Sequence, residues 1–183
     1  MSLPTVIVST ASALSGENHA FVTGKDSVGK GVEFNGRDTS VRIPKDVFSG
    51  LDQATVVVWM KLDEPVKRDA PYEWQTLFRL EGDTVGNSSV MVGDGSLSIF
   101  DTAYESDSGE TGYVPASGKW LQVALQLGGD KMRVFVDGEF IKGGKLNTPA
   151  SLGTYAVVLG RFGVGSGNYA LEGVIDNVSV HSK

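Results

Sequence analysis

The sequence predicts an all-β protein, a two-sheet antiparallel jelly-roll sandwich. Three observations predict it. The stretch Gly118 to Gly138 holds two apolar alternations around a turn: Leu121, Val123, Leu125 and Leu127, then Met132, Val134 and Val136. Period two is the strand signature, because successive side chains point to opposite faces. The chain has 24 Gly, which punctuate it with turn signals and mark many short strands. No apolar periodicity of helical spacing extends over a useful length.

The elements follow in order. Thr5 to Val8 reads as a first strand. Ala11 to Lys30 is loop-like, with a short strand near Ala20 to Val22. Val32 to Phe34 and Val41 to Ile43 alternate on either side of Asn35-Gly36, a strong hairpin signal. Pro44 ends the second of these runs, since it cannot donate to a ladder. Asp46 to Leu51 suits a helical turn. In Ala54 to Leu62, residues Val56, Val58, Met60 and Leu62 share one face, and Thr55, Val57, Trp59 and Lys61 the other. A strand apolar on one side and half-aromatic on the other should be covered on both.

Asp63 to Tyr72 is a charged loop. Gln75 to Leu80 returns as a strand, and Val90 to Val92 pairs with Leu97 to Phe100 across Gly93-Asp94-Gly95. Asp101 to Ser117 is a long loop with a short strand expected near Gly112 to Val114; loops of this length within a compact domain tend to carry function. Gly128-Gly129-Asp130 turns the central hairpin, and Asp137-Gly138 turns again into Glu139 to Ile141. Gly143 to Thr154 is a connector, Val157 to Gly160 a strand, and Gly163 to Asn168 a glycine loop. Leu171 to Val180 closes the fold. Its apolar step changes from two to three between Ile175 and Val178, the mark of a bulge at Asp176-Asn177.

The chain has 183 residues, no Cys and a formal net charge of -6. One domain over residues 1–183 is the expectation at this length. Such a chain buries about 70% of its unfolded surface and needs no covalent staple. Zero Cys excludes thiol chemistry and thiolate metal sites. The acidic balance argues against a nucleic-acid partner, which calls for a basic patch. No apolar run is long enough for membrane insertion as a helix, and Met1 to Pro4 carries no leader pattern.

The ordered set of motifs resembles the concanavalin A-like lectin/glucanase superfamily, and within it the laminin G-like domains. The resemblance rests on GVEFNG (31–36) with VRIP (41–44), ATVVVWMKLD (54–63), GKWLQVALQLGGDKMRVFVDGE (118–139), and LGRFG (159–163) with LEGVIDNVSV (171–180). It implies the jelly-roll fold. It leaves function open among lectins, binding modules, glycosidases and adhesion domains. The resemblance also implies a calcium ion where the opening segment, the first turn and the closing strand meet. The matching positions are Glu17 or Asn18, the carbonyl of Gly36 with Asp38, and Asp176, all oxygen donors suited to a hard cation.

Candidate chemistry points to binding. Hydrolysis of a glycosidic bond needs two carboxylates flanking it. The E-x-D-x-x-E strand pattern of the superfamily's catalytic members does not occur. Asp101, Glu105, Asp107 and Glu110 fall in a loop with Ser and Gly between them, the pattern of a solvated segment. His19 and His181 lack a Ser or Asp partner pattern and are expected at the surface. Gly163 to Gly167 lacks the Lys-Ser/Thr and helix of a phosphate loop. The sequons at Asn87 and Asn177 matter only in a eukaryotic secretory host.

Sugar recognition wants aromatic platforms beside planar polar groups. Tyr72, Trp74, Tyr104 and Tyr113 fall in or near loops, with Arg79, Asp107, Arg161 and Asn168 as polar partners. Trp59 and Phe135 lie on the phase opposite to the main core, where they could line a concave face; covering by a loop is the expectation. Trp120 leads a strand and is expected in the core. The reading is a non-catalytic, calcium-stabilised carbohydrate-binding module of a larger secreted or cell-surface protein, with an oligosaccharide or polysaccharide as partner. A protein-binding adhesion domain is second and a glycoside hydrolase or lyase third.

Overall fold

The computed structural model describes residues 5–7, 14–15, 20–27, 29–64, 74–82, 88–93, 96–100, 109–146, 151–162 and 169–182. Two antiparallel sheets face each other across one apolar core. Sheet A contains β1 (Thr5–Ile7), β3 (Ala20–Thr23), β4 (Lys30–Asn35), β6 (Gln53–Leu62), β11 (Leu121–Gly128), β12 (Lys131–Val136), β13 (Glu139–Lys145) and β15 (Glu172–Ser182). Its order is β13-β12-β11-β6-β15-β4-β3, with β1 also on β15. Sheet B contains β2 (Leu14–Ser15), β5 (Ser40–Ile43), β7 (Gln75–Gly82), β8 (Ser89–Gly93), β9 (Ser96–Phe100), β10 (Gly109–Glu110) and β14 (Tyr155–Leu159), in the order β10-β9-β8-β7-β14-β5-β2. Single 3-10 turns lie at Lys45–Phe48 and Leu152–Thr154.

The alternation in the sequence becomes the two faces of each sheet. In register, Val58 pairs with Val123 and Val123 with Val136, while Val56 pairs with Leu125 and Leu125 with Val134. All six are buried and face sheet B. Opposite them, Phe78, Leu80, Val90, Val92, Leu97, Ile99, Tyr155, Val157 and Leu159 form the inner face of sheet B. Burying an aliphatic side chain of this size contributes about 1.5–3 kcal/mol, so the two matched phases fix the register of every inner strand.

The turn chemistry explains the central hairpins. Gly129, at φ +58, and Asp130 link β11 to β12, and Asp137 and Gly138, at φ +48 and +84, link β12 to β13. Two consecutive positive φ values match the twist of a tight hairpin. The bulge in β15 lies where the apolar step changes. Asp176 pairs with Trp59 and Ser179 with Val57, leaving Asn177, at φ +51, and Val178 opposite Val58. Beyond the bulge the inward phase changes parity, so Ile175 and Val180 both reach the core.

Three expectations are corrected. Asn35-Gly36 does not make a hairpin: β4 pairs with β3 and β15, whereas β5 pairs with β2 and β14. The turn carries the chain from sheet A to sheet B. Asn35 Oδ1 accepts the N–H groups of Arg37 and Asp38 at 3.0 and 3.1 Å, which holds an open arch instead of a two-residue loop. The short strand after the acidic loop is Gly109–Glu110 on the edge of β9, ahead of the expected 112–114. Trp120 is only half-buried, with Lys61 Nζ 5.6 Å from its ring centroid. Inward positions of β11 are odd-numbered, so residue 120 falls on the outer phase. The loop expected over Trp59 is the β3–β4 turn, whose Lys25 Nζ lies 4.0 Å from the ring, whereas Phe135 is met by a strand instead of a loop: Phe140 of β13 packs edge-on to it at 5.6 Å.

Candidate ligand-binding site

The outer face of sheet B should be half-solvated, yet it is covered. Phe78 and Leu80 point inward, so Arg79 between them points out. Register then places Arg42, Val158, Arg79, Ser89 and Phe100 in one row across five strands. A second row runs Thr76, Met91, Ser98. Ser89 and Met91 are only 1% and 5% exposed, although they belong to the outward phase. What covers them is aromatic.

Trp74, just before β7, lies on Gly93 of β8: any Cβ at Gly93 would overlap the indole. The indole meets Phe100 edge-on at 4.8 Å. From the other side, Phe162 and Tyr169 pack edge-on at 5.6 Å, and Arg79 stacks over the Phe162 ring at 5.3 Å. Together Trp74, Phe100, Phe162 and Tyr169 wall a cavity of about 220 Å3 whose floor is Ser89 and Met91. That is below the roughly 300–1,000 Å3 of pockets that enclose a drug-sized ligand. It suits one ring of a longer molecule lying across the sheet.

The floor is largely apolar and carries one hydroxyl, that of Ser89. The hydroxyls of Thr76, Ser89 and Ser98 are buried and have no hydrogen-bond partner among the described residues. A buried polar group left unsatisfied costs about 1–3 kcal/mol; of these three residues only Ser89 lines the cavity. Burial, and then the charge of Arg42, lowers the Arg79 guanidinium from its ordinary value; it stays a cation with planar donors. Its Nη1 lies 3.8 Å from Glu81 Oε1, and Arg42 pairs with Glu81 Oε2. Aromatic walls, one hydroxyl below and a guanidinium at the rim can hold the C–H faces of a sugar ring while bonding its oxygens.

Of the residues expected to bind sugar, Trp74 and Arg79 meet at this cavity. Tyr113 is placed elsewhere, packed against the core, where burial and then Asp137 push its phenol up. Arg161 Nη1 donates to the Asp38 carbonyl at 3.5 Å, tying β14's exit to the arch after β4. Tyr72, Tyr104, Asp107 and Asn168 lie outside the described residues. Phe100, Phe162, Tyr169 and Ser89 were not expected. Phe100 was legible, since it follows Leu97 and Ile99 on the outward phase; Phe162 and Tyr169 flank the glycine loop.

The described positions matched to calcium, Gly36, Asp38 and Asp176, do not converge on one point. Asp176 Oδ2 accepts the Lys25 N–H at 2.9 Å and Oδ1 the Asn177 N–H at 2.7 Å. A Cβ at Gly24 would overlap this carboxylate, so the β3–β4 turn already fills the space beside it. Gly36 and Asp38 lie where Asn35 pairs with Glu172, four residues along β15 from Asp176, or roughly 13 Å at strand rise. Asp38 Oδ1 accepts from Asn35 Nδ2 at 2.7 Å. Glu17 and Asn18 lie outside the described residues, as do His19 and Asn87. Among the described residues no three His, Asp or Glu side chains group as metal ligands. The described part of the set therefore does not fit a shared ion. His181, expected without a Ser partner, has Nε2 2.9 Å from Ser179 Oγ on the outer face of β15.

Comparison with known proteins gives a family and a fold. Residues 34–183 match a family model described as the concanavalin A-like lectin/glucanases superfamily. No curated protein matches the chain. Domain 4 of AbnA, a GH43 extracellular arabinanase from Geobacillus stearothermophilus solved with arabinotriose, is similar with a TM-score of 0.61 and 20% identity over 98% of this chain and 82% of that one. Trypanosoma rangeli sialidase is similar with a TM-score of 0.65 and 14% identity, over 97% of this chain but 30% of its own. Botulinum neurotoxin type C, whose cell entry depends on two ganglioside molecules, is similar with a TM-score of 0.62 and 10% identity, over 91% and 42%. The chain thus spans less than half of the sialidase and neurotoxin chains.

Proposed function

Because the chain belongs to the concanavalin A-like lectin/glucanases superfamily, we propose that it is a non-catalytic carbohydrate-binding module of a larger secreted or cell-surface protein. The observation that carries this reading is the aromatic cavity on the outer face of sheet B, with the unpartnered Ser89 hydroxyl in its floor. The walls supply apolar ring faces, the floor supplies the Ser89 hydroxyl, and the small volume suits one sugar unit of a chain. The similar arabinanase domain, solved with arabinotriose, supports a glycan partner. Among the described residues, those lining the cavity include no carboxylate, and Glu81 beside it is engaged by Arg42 and Arg79. A pair of carboxylates flanking one bond, which glycoside hydrolysis requires, is not formed by the described residues there.

A glycan array that includes arabinan oligosaccharides tests the proposal. Binding weakened about tenfold or more by Trp74→Ala and by Phe162→Ala, equivalent to roughly 1.4 kcal/mol, is the expected result. A folded protein that is silent across the array would overturn it, and release of reducing ends from a bound glycan would overturn the non-catalytic part. The second reading, a protein-binding adhesion domain, draws on Phe21 and Phe140, exposed on the two edge strands of sheet A. Silence on the array together with capture by a protein partner lost in Phe140→Ser would favour it.

A further inference from the structure

The aromatic cavity does not end at Arg79. Two strands further on, past Val158, the same row reaches Arg42. Beside Arg42 an open groove of about 440 Å3 is lined by Lys45, Asp46, Glu81 and Thr154. Successive strands lie about 4.8 Å apart, so cavity, Arg79 and groove form one path running across the strands. The two guanidiniums on this path share one carboxylate, Glu81. Arg79 is held in place between the Phe162 ring and Glu81, with its side chain 18% exposed, while Arg42 is 50% exposed. Counting Lys45 and Asp46, the described side chains along the path carry three positive and two negative charges. This local excess of positive charge sits on a chain whose net charge is -6.

Resting on the carbohydrate-binding reading, we infer that the ligand is an acidic glycan. A sugar ring occupies the aromatic cavity, and a carboxylate on that sugar or its neighbour is received by Arg79 and Arg42. A guanidinium presents two parallel N–H donors that match the two oxygens of a carboxylate, and such charge-assisted bonds are about twice as strong as neutral ones. Low exposure at Arg79 reduces competition from water and salt at that point. Burial first, and then electrostatic crowding by Arg42, lowers the Arg79 guanidinium, and an arriving anion would relieve the crowding. A neutral glycan would leave this crowding in place.

The test uses matched pairs: uronic-acid oligosaccharides against their methyl esters, and sialylated oligosaccharides against their desialylated forms, measured by calorimetry at two salt concentrations. The acid member of any pair that binds is expected to bind about tenfold or more tightly, with the preference shrinking as salt rises. Arg42→Gln should remove most of the preference while leaving the melting temperature near that of the wild type. Arg79→Lys should weaken the acid member more than the ester. Equal affinity for acid and ester, with Trp74→Ala still abolishing both, would overturn the inference and leave the carbohydrate reading standing. Failure of every member to bind folded protein would overturn both.

Discussion

Gly93→Ala should displace a wall of the cavity without substituting any side chain that lines it. Gly93 ends β8 and pairs with Ser96 of β9. Its outward hydrogen faces the six-membered ring of Trp74, and an added methyl would overlap ring atoms Cε3 and Cδ2. The backbone is held by the ladder, whereas Trp74 is half-buried just outside a strand, so the indole yields. It must retreat about 1 Å or more to regain a normal carbon–carbon separation near 3.5 Å. That breaks the edge-on contact with Phe100 at 4.8 Å, a contact worth about 0.5–1.5 kcal/mol beyond its buried area. With some loss of cover over Met91, the expected destabilisation is about 1–2 kcal/mol, or roughly 2–8 °C in melting temperature for a domain of this size. Glycan affinity should fall about tenfold. Gly29→Ala is the control, since nothing lies within 4 Å of its added methyl, and it should stay within about 0.5 kcal/mol of the wild type. The assays are thermal melting and calorimetric titration. A Gly93→Ala protein that melts with the wild type would refute the placement of the indole, whatever the ligand proves to be.

Three further outcomes are expected. Leu125→Ala, fully buried between Val56 and Val134, should cost about 2–5 kcal/mol in urea unfolding; a loss below 1 kcal/mol by the same measure would mean that the inner face is not packed as described. Asp176→Asn puts an amide donor against one of two backbone N–H groups, Lys25 or Asn177, and should cost about 1–3 kcal/mol. The loss should be the same with calcium or with EDTA, and a loss seen only with calcium would show that the carboxylate serves an ion. Tyr155→Phe removes a buried hydroxyl that has no partner among the described residues, so neutral-pH stability should hold or rise. Burial raises the Tyr155 phenol well above its usual value. Below a pH of about 10 both folded and unfolded chains keep the proton; above it the unfolded chain releases it while the native one does not, so stability falls as pH rises. Tyr155→Phe should flatten that alkaline fall in denaturation midpoints, and an unchanged fall would assign it elsewhere.

The fold was legible because its signal is repeated. Val56 to Leu62, Leu121 to Leu127 and Met132 to Val136 each state the inward phase several times, and pairing makes them agree. The bulge at Asp176-Asn177 could be read from one change of step. The arch at Asn35-Gly36 could not, because a turn dipeptide reports local backbone geometry and not whether the next strand pairs with the last. The site was legible in part. Trp74 and Arg79 stand out as an aromatic and a cation beside a strand, but their convergence with Phe162 and Tyr169 is a product of sheet order, β8-β7-β14, which a linear pattern does not carry. The same holds for Tyr113, whose loop-like neighbourhood hid that its ring packs on the core.

The place of β15 has a consequence for how the chain is made. It lies between β4 and β6 and also receives β1. All three are synthesised well before it, and each presents an open ladder edge until it arrives. Their waiting time is set by translation, at about 5–20 residues per second, so nascent chains pass through a stage that invites self-association. A ribosome stall ahead of Glu172 should therefore leave a species that binds chaperones, whereas the β11–β12–β13 meander, closed by its own short turns, can form on emergence.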